Sequence, residues 1–395
     1  MFIYFLFLIL IIFFELFLVH QEKKGKQISI CFFGKNIDLE TFFLLICFSL
    51  LFILLVFRDY TVGTDLKNYL IRFIKIGETP FNELYDISNY YSFEFGFTLL
   101  NKIIYMIFPS TFSFMILSSL ISLFGFYHFI NKYSRNKLFS FYIFFTFSMA
   151  TNSMNTIRQY MAISILLYSL DYLLNKDIKK YLLYIFLATS IHSSSIIFIV
   201  LYPLINRFKV NVINKKYVFL LLLFIAFFLF GGFELIKYLM SFTSFAWYLN
   251  NLNGSGETML ILLFSMYIYL LFAFINKETD QIINLSMIML GITILLNAVA
   301  IHIGIIERLM RSFIPSIIVL IPNSIDCIDL RKHLISLGKI ALHFCFALYF
   351  IYIMSSPASS GNTNLYKIEN PIKLNNEIRQ IYDESYSNDL IRINR

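Results

Sequence analysis

The chain has 395 residues, a formal net charge of +8 and a mean hydropathy of +0.73; 58% of residues are hydrophobic and only 14% are charged. Soluble domains carry about a quarter charged residues, so the composition excludes an ordinary soluble enzyme and predicts an all-α, polytopic integral membrane bundle of about 10–12 membrane helices. The positive balance does not indicate nucleic acid, because the Lys and Arg residues stand in short loops between apolar runs, where membrane topology requires them.

The first apolar run, 2–19, lacks a basic leading segment and a small-residue cleavage site, and reads as a retained anchor rather than a removed signal peptide. Further runs lie near 41–57, 112–130, 138–153, 157–174, 181–205, 217–233, 258–275, 282–303, 310–323 and 334–354. They predict one transmembrane domain over 1–354, with hydrophilic outer loops at 58–95 and 234–257, and a polar tail at 355–395.

Basic residues cluster at Lys23, Lys24, Lys26 and Lys35; at Lys132, Arg135 and Lys137; at Lys176, Lys179 and Lys180; at Arg207, Lys209, Lys215 and Lys216; at Lys277; and at Arg331 and Lys332. All six groups face the cytoplasm together only if 95–108 does not fully cross, and if 181–205 either dips in and returns or contains two short helices. The opposite face then collects loop 58–95, Arg158, His192, loop 234–257, Glu307, Arg308, Arg311 and the tail.

Within 57–77, Arg58 and Asp59 follow directly on an apolar run, and Gly63 permits a tight turn. Thr64 or Asp65 is placed to cap a helix whose Leu66, Tyr69, Leu70, Phe73 and Ile74 share one face, and Gly77 can end it. Its pattern suits an amphipathic helix lying on the membrane surface, or a solvated loop helix with no catalytic part. Glu94 precedes an apolar stretch interrupted by Asn101 and Lys102; it is either a carboxylate at the mouth of a bilayer-edge helix or an acid that complements a helix dipole.

Arg158 opens an apolar run, flanked by Asn155 and Gln159. A guanidinium there either binds phosphate in a bidentate manner or extends to the interface from a helix end. His192, followed by Ser193, Ser194 and Ser195, is a general base or donor at a helix break, or a satisfied core histidine. Arg308 and Arg311 are three apart and share a helical face, which suits an anion site; alternatively Glu307 and a neighbour form a plain ion pair. The four cysteines (Cys31, Cys47, Cys327, Cys345) have neither CxxC nor metal spacing, and no HExxH, P-loop or GxGxxG occurs. No metal and no cofactor is predicted.

Several of these segments together resemble the EpsG-like branch of bacterial polysaccharide polymerases, related in role to the Wzy O-antigen polymerases. They are R-D-Y-x-V-G-T-D-x-x-x-Y from Arg58 to Tyr69, Glu94-Phe95-Gly96-Phe97, Ile157-Arg158-Gln159 with Ala162, the Ile191-His192-Ser193 break, and Arg308. In the tail only Asn364-Leu365-Tyr366 is comparable with the family's tyrosine motif. The resemblance runs from about residue 40 to 325 and implies an enzyme that joins undecaprenyl-pyrophosphate-linked oligosaccharides on the outer leaflet of the bacterial cytoplasmic membrane. It implies Arg58, Arg158, Gln159, Arg308, Arg311 and Tyr69 for pyrophosphate or glycan binding, and His192, Asp65 and Glu94 as candidate bases. Implied partners are the lipid-linked oligosaccharide and the bilayer, with a flippase and a chain-length regulator as further candidates and no nucleic acid. A repeat-unit flippase and an O-antigen ligase are the competing readings; the first is disfavoured because no two related halves are visible.

Overall fold

The computed structural model describes residues 2–24, 28–32, 34–207, 215–242, 256–275, 280–304, 306–325, 332–355 and 366–393. Lys26, Lys209, Lys277, Cys327, Arg331, Asn364, Leu365 and much of loop 234–257 lie outside them. Apart from one antiparallel hairpin, the described elements are helical.

In chain order they begin with α1 (Phe2–Lys23), the hairpin β1 (Ser29–Phe32) and β2 (Lys35–Asp38), and α2 (Leu39–Val56). Then come α3 (Leu66–Glu78), α4 (Leu84–Tyr90), α5 (Phe95–Ile107), α6 (Thr111–Tyr133), α7 (Lys137–Thr146) and α8 (Met149–Asn155). Next follow α9 (Ile157–Leu174), α10 (Ile178–Ile191), α11 (Lys215–Phe227), α12 (Phe233–Ser241) and α13 (Gly256–Ile275). The remainder are α14 (Gln281–Ala300), α15 (Ile306–Met310), α16 (Ser316–Ile325), α17 (Lys332–Ser355) and a C-terminal helix, Pro371–Ile393. Among the described residues five helices are long and apolar enough to cross a bilayer: α1, α2, α6, α14 and α17. The chain is an all-α, multi-pass membrane protein.

The other apolar runs are interrupted for local reasons. The run 138–153 breaks between α7 and α8, where Ser148 adopts a φ of +60°. The run 181–205 ends its α-helix at Ile191, because His192 is extended, and continues as a 3₁₀ turn over Ser193–Val200. A single π turn, Pro203–Arg207, follows it. Helix α5 has 13 residues and rises about 20 Å, less than the ~30 Å hydrocarbon core.

Two compact units emerge. The first comprises the described residues of Met1–Lys132, Lys137–Ile196 and Leu342–Arg395; the second those of Tyr133–Asn136 and Ile197–Ala341. In the first, α7 is the centre, with Leu138 through Phe147 all buried. Aromatic rings from α1, α2 and α6 close around it: Phe7 lies 4.9 Å from Phe145, Phe48 4.8 Å from Phe141, and Phe126 4.7 Å from Phe144. In a bilayer, packing of such rings is favoured by dispersion contacts that are small singly and large together. In the second unit α14 packs on α13, α15 and α16. Helix α16 is buried over its whole length, and its Asn323 accepts from the Arg135 amide and donates to Tyr133 O, both at 2.8 Å.

Helix α3 is amphipathic as predicted, but protein rather than lipid covers its apolar face. Leu66, Leu70, Phe73 and Ile74 are buried; Phe73 meets Tyr105 of α5 and Phe114 of α6 at 5.5 and 5.4 Å. The helix also runs past Gly77, ending before Pro80, whose ring disfavours helix in the preceding residue. Buried Lys102 of α5 donates to Gly77 O at 2.6 Å and Thr79 O at 2.7 Å, a cation on the helix C-terminus.

From Tyr366 onward the described part of the polar tail is docked. Asp59 N donates to Lys367 O at 2.8 Å, and Glu369 N to Phe57 O at 3.0 Å, so the chain after Tyr366 pairs with the end of α2. The C-terminal helix then packs on α3, burying Leu374, Ile378 and Tyr382 at i, i+4, i+8 spacing.

Candidate functional site

Three local structures in the first unit converge on one polar cluster. The first is the loop after α2. Gly63, at φ +101°, turns this loop so closely onto the end of α8 that a Cβ would lie 2.8 Å from Asn155 Oδ1. Asn155 Oδ1 accepts from Thr64 N at 2.9 Å. Arg58, 3% exposed, donates to Leu55 O at 3.1 Å and to Met154 O at 3.2 Å. These bonds hold the α8–α9 corner, from which Arg158 projects on the first turn of α9.

The second is the turn between α4 and α5. Ser92 takes a φ of +52°, Phe93 N donates to Ser88 O at 2.9 Å, and Ser88 Oγ donates to Phe93 O at 2.8 Å. Phe93 and Glu94 are thereby placed at the mouth of α5. Gly96 lets that mouth approach α10, since a Cβ there would stand 2.5 Å from Ser190 Oγ and 2.6 Å from Ser190 O. The third is the end of α10, where extended His192 leaves the Ser193 amide outside the helix ladder.

At the meeting point Arg158 NH1 lies 2.5 Å from Glu94 Oε2, and Ser193 N donates to Glu94 Oε1 at 2.7 Å. Arg158 Nε donates to Tyr69 Oη at 3.3 Å. The guanidinium lies 4.3 Å from the Phe93 ring centre and 5.7 Å from that of Phe97, and Tyr69 stacks on Phe93 at 5.9 Å. His192 Nδ1 is 3.7 Å from Glu94 Oε1. The side chains of Arg158, Glu94 and His192 are 17%, 19% and 10% exposed. They are thus largely withdrawn from water yet reachable, a setting in which a charged contact is strengthened.

Of the residues singled out in the sequence, this cluster gathers Arg158, Glu94, His192 and Tyr69. Asp65 takes the N-cap position of α3 without a side-chain cap bond and is half-buried, with Thr64 Oγ1 at 3.4 Å. Gln159 is buried at the start of α9. Arg58 commits its NH1 and NH2 groups to main-chain carbonyls. Arg308 and Arg311 belong to the second unit; Arg308 is exposed, and Arg311 pairs with Glu307 at 2.6 Å, the plain ion pair among the two sequence readings.

Sequence reasoning missed Phe93 and the Ser193 amide. Phe93 was legible only as the neighbour of Glu94. The amide becomes a donor through the break at His192 and leaves no residue-type signal. It also missed the tail's docking. Tyr366 Oη donates to Leu54 O at 2.6 Å, and its ring meets Tyr4 at 5.7 Å. Lys367 Nζ lies 3.1 Å from Asp59 Oδ2. Burial alone would raise the Asp59 carboxyl, but hydrogen bonds from Thr61 and the Lys367 ammonium outweigh it and hold the group below the usual carboxylate range.

Among the described residues no group of three or more His, Cys, Asp or Glu side chains is arranged to hold a metal ion. A family model described as the EpsG family matches residues 41–368. No curated protein and no solved structure matches the chain.

Proposed function

The chain belongs to the EpsG family, the family of Wzy-type polysaccharide polymerases, and on that premise we propose that it joins oligosaccharide repeat units carried on undecaprenyl pyrophosphate. The growing glycan is transferred from its lipid carrier to the non-reducing end of a new unit, at the outer leaflet of the bacterial cytoplasmic membrane. The bond between the anomeric carbon and the pyrophosphate oxygen breaks. A bond from that carbon to the acceptor hydroxyl oxygen forms, the hydroxyl proton passes to a base, and undecaprenyl pyrophosphate leaves as an anion.

The observation that carries this reading is the setting of Arg158: a largely buried guanidinium on the first turn of α9, walled by Phe93 and Phe97, with its carboxylate partner beside a histidine. In this reading Arg158 holds the pyrophosphate, where positive charge stabilises the leaving group as it develops. Tyr69 fixes the guanidinium plane through Nε. His192 receives the acceptor proton. Arg58 positions Arg158 by holding the α8–α9 corner. The loop 58–95 and the tail face outward with the site.

The test is complementation of a deletion strain, with surface glycans separated by length. Wild-type protein restores long chains. Arg158→Ala at matched expression leaves a single repeat unit on its acceptor. Long chains from that variant would overturn the reading, and loss of even the single unit on deletion would point to a flippase or ligase instead.

A further inference from the structure

The groups that hold Glu94 are the groups an anionic ligand needs. One is a guanidinium and the other a main-chain amide freed by the helix break, and they grip separate oxygens of one carboxylate at 2.5 and 2.7 Å. Guanidinium groups and main-chain amides donate to phosphate oxygens as readily as to carboxylate oxygens. Glu94 also declines the local bond open to it. It occupies the N-cap position of α5, where an acid ordinarily accepts from its own helix's amides, yet its side chain makes no cap bond and crosses to α9 and α10. Its Oε1 stops 3.7 Å from His192 Nδ1, beyond a direct hydrogen bond but within a side-chain rotation.

We propose that Glu94 is a resident stand-in for the substrate's phosphate: it fills the pyrophosphate seat while the protein is empty, and yields Arg158 and the Ser193 amide when pyrophosphate arrives. The displaced carboxylate turns to His192 Nδ1 and orients the ring as a base. This inference rests on the reading of Arg158 as the pyrophosphate-holding residue. Its consequence is order. A carboxylate and a pyrophosphate in one seat repel each other, so loading the lipid-linked donor moves the carboxylate, and the base is aligned only when there is a donor to transfer. Glu94 acts through Arg158 and His192 and is a positioning residue.

Calorimetric titration of inorganic pyrophosphate into the full-length protein in lipid nanodiscs tests it, with wild type, Glu94→Gln and Arg158→Ala compared. Glu94→Gln keeps an acceptor for the Ser193 amide but loses the negative charge that faces Arg158. Removing an internal competitor that fills about nine-tenths of the seats raises apparent affinity about tenfold, so Glu94→Gln binds pyrophosphate about that much more tightly than wild type. The same variant transfers glycan more slowly, a split of binding from turnover that a purely structural role does not produce. Should Glu94→Gln fold poorly, Glu94→Asp, too short to span both donors, shifts affinity in the same direction by less. Equal or weaker binding by the Glu94 variants, with binding lost in Arg158→Ala, overturns the stand-in role and leaves the pyrophosphate reading in place. Undiminished binding by Arg158→Ala sinks the pyrophosphate reading itself.

Discussion

Arg58 and Arg158 look alike in the sequence, each an arginine at the edge of a long apolar run, but their partners differ in kind. Arg58 is 3% exposed and donates to the carbonyls of Leu55 and Met154. Arg158 is 17% exposed, and its charge faces the Glu94 carboxylate on a separate helix. Main-chain carbonyls cannot leave without unfolding the corner they belong to, whereas a side-chain carboxylate can rotate away. On the function proposed above, what separates a structural arginine from a ligand-binding one is how replaceable its partners are, more than its burial or its neighbours in sequence.

The largest effects follow from that difference. Arg158→Ala lowers glycan transfer by about 10²–10³-fold, the usual loss when a preorganised charge at a leaving group is removed. Its melting temperature in detergent falls by less than its activity does: Glu94 loses its cation in a largely buried setting, but it keeps the Ser193 amide and some access to water. Arg58→Ala behaves conversely. It leaves two buried carbonyls without their donor, at about 1–3 kcal/mol each, so the melting temperature falls and activity declines in step with folded protein. A well-folded Arg58→Ala protein that has lost activity would erase the distinction and move Arg58 to the substrate.

How far these roles were legible follows from the same residues. The spans α1, α2, α6, α14 and α17 were readable because hydrophobic runs near 20 residues signal themselves. Helix α3 was readable from its periodicity, though not what covers its apolar face, since the covering helices come from distant sequence. The cluster's members were visible one by one; their meeting was not. Glu94 and Arg158 are 64 residues apart, and they meet through Gly96 against Ser190 and through a main-chain amide, neither of which residue type announces. The C-terminal helix was hidden because its three inward apolar residues are spaced by four in a polar segment.

Gly96→Ala sharpens the contrast at intermediate size. The added methyl would press on Ser190 Oγ and its carbonyl oxygen at about 2.5 Å, and overpacking of this kind costs about 1–3 kcal/mol. Because Gly96 sits two residues from Glu94, the strain falls on the mouth of α5. The expected result is a modest loss of stability with a larger loss of transfer. Equal losses in both would mean the α5–α10 approach is purely structural.

The smallest effects belong to the tail. Tyr366→Phe removes the donor to Leu54 O and costs about 1 kcal/mol, read as a small fall in melting temperature with transfer unchanged. The Asp59–Lys367 contact adds a pH dependence at either extreme. Asp59 is held below its unfolded value of about 3.9, so its contribution is complete above that value and disappears as pH falls through the lower folded one. Lys367 is raised, first by its hydrogen bond to Asp59, so its contribution is complete below about pH 10.4 and disappears as pH rises through the folded value. Between roughly pH 5 and 9 this contact therefore adds no pH dependence. Asp59→Asn removes the part of the acid-side destabilisation that belongs to this contact, while Arg158→Ala leaves it intact. Melting curves of the two variants from pH 3 to 7 read this difference; an acid limb unchanged by Asp59→Asn would detach the tail from that corner.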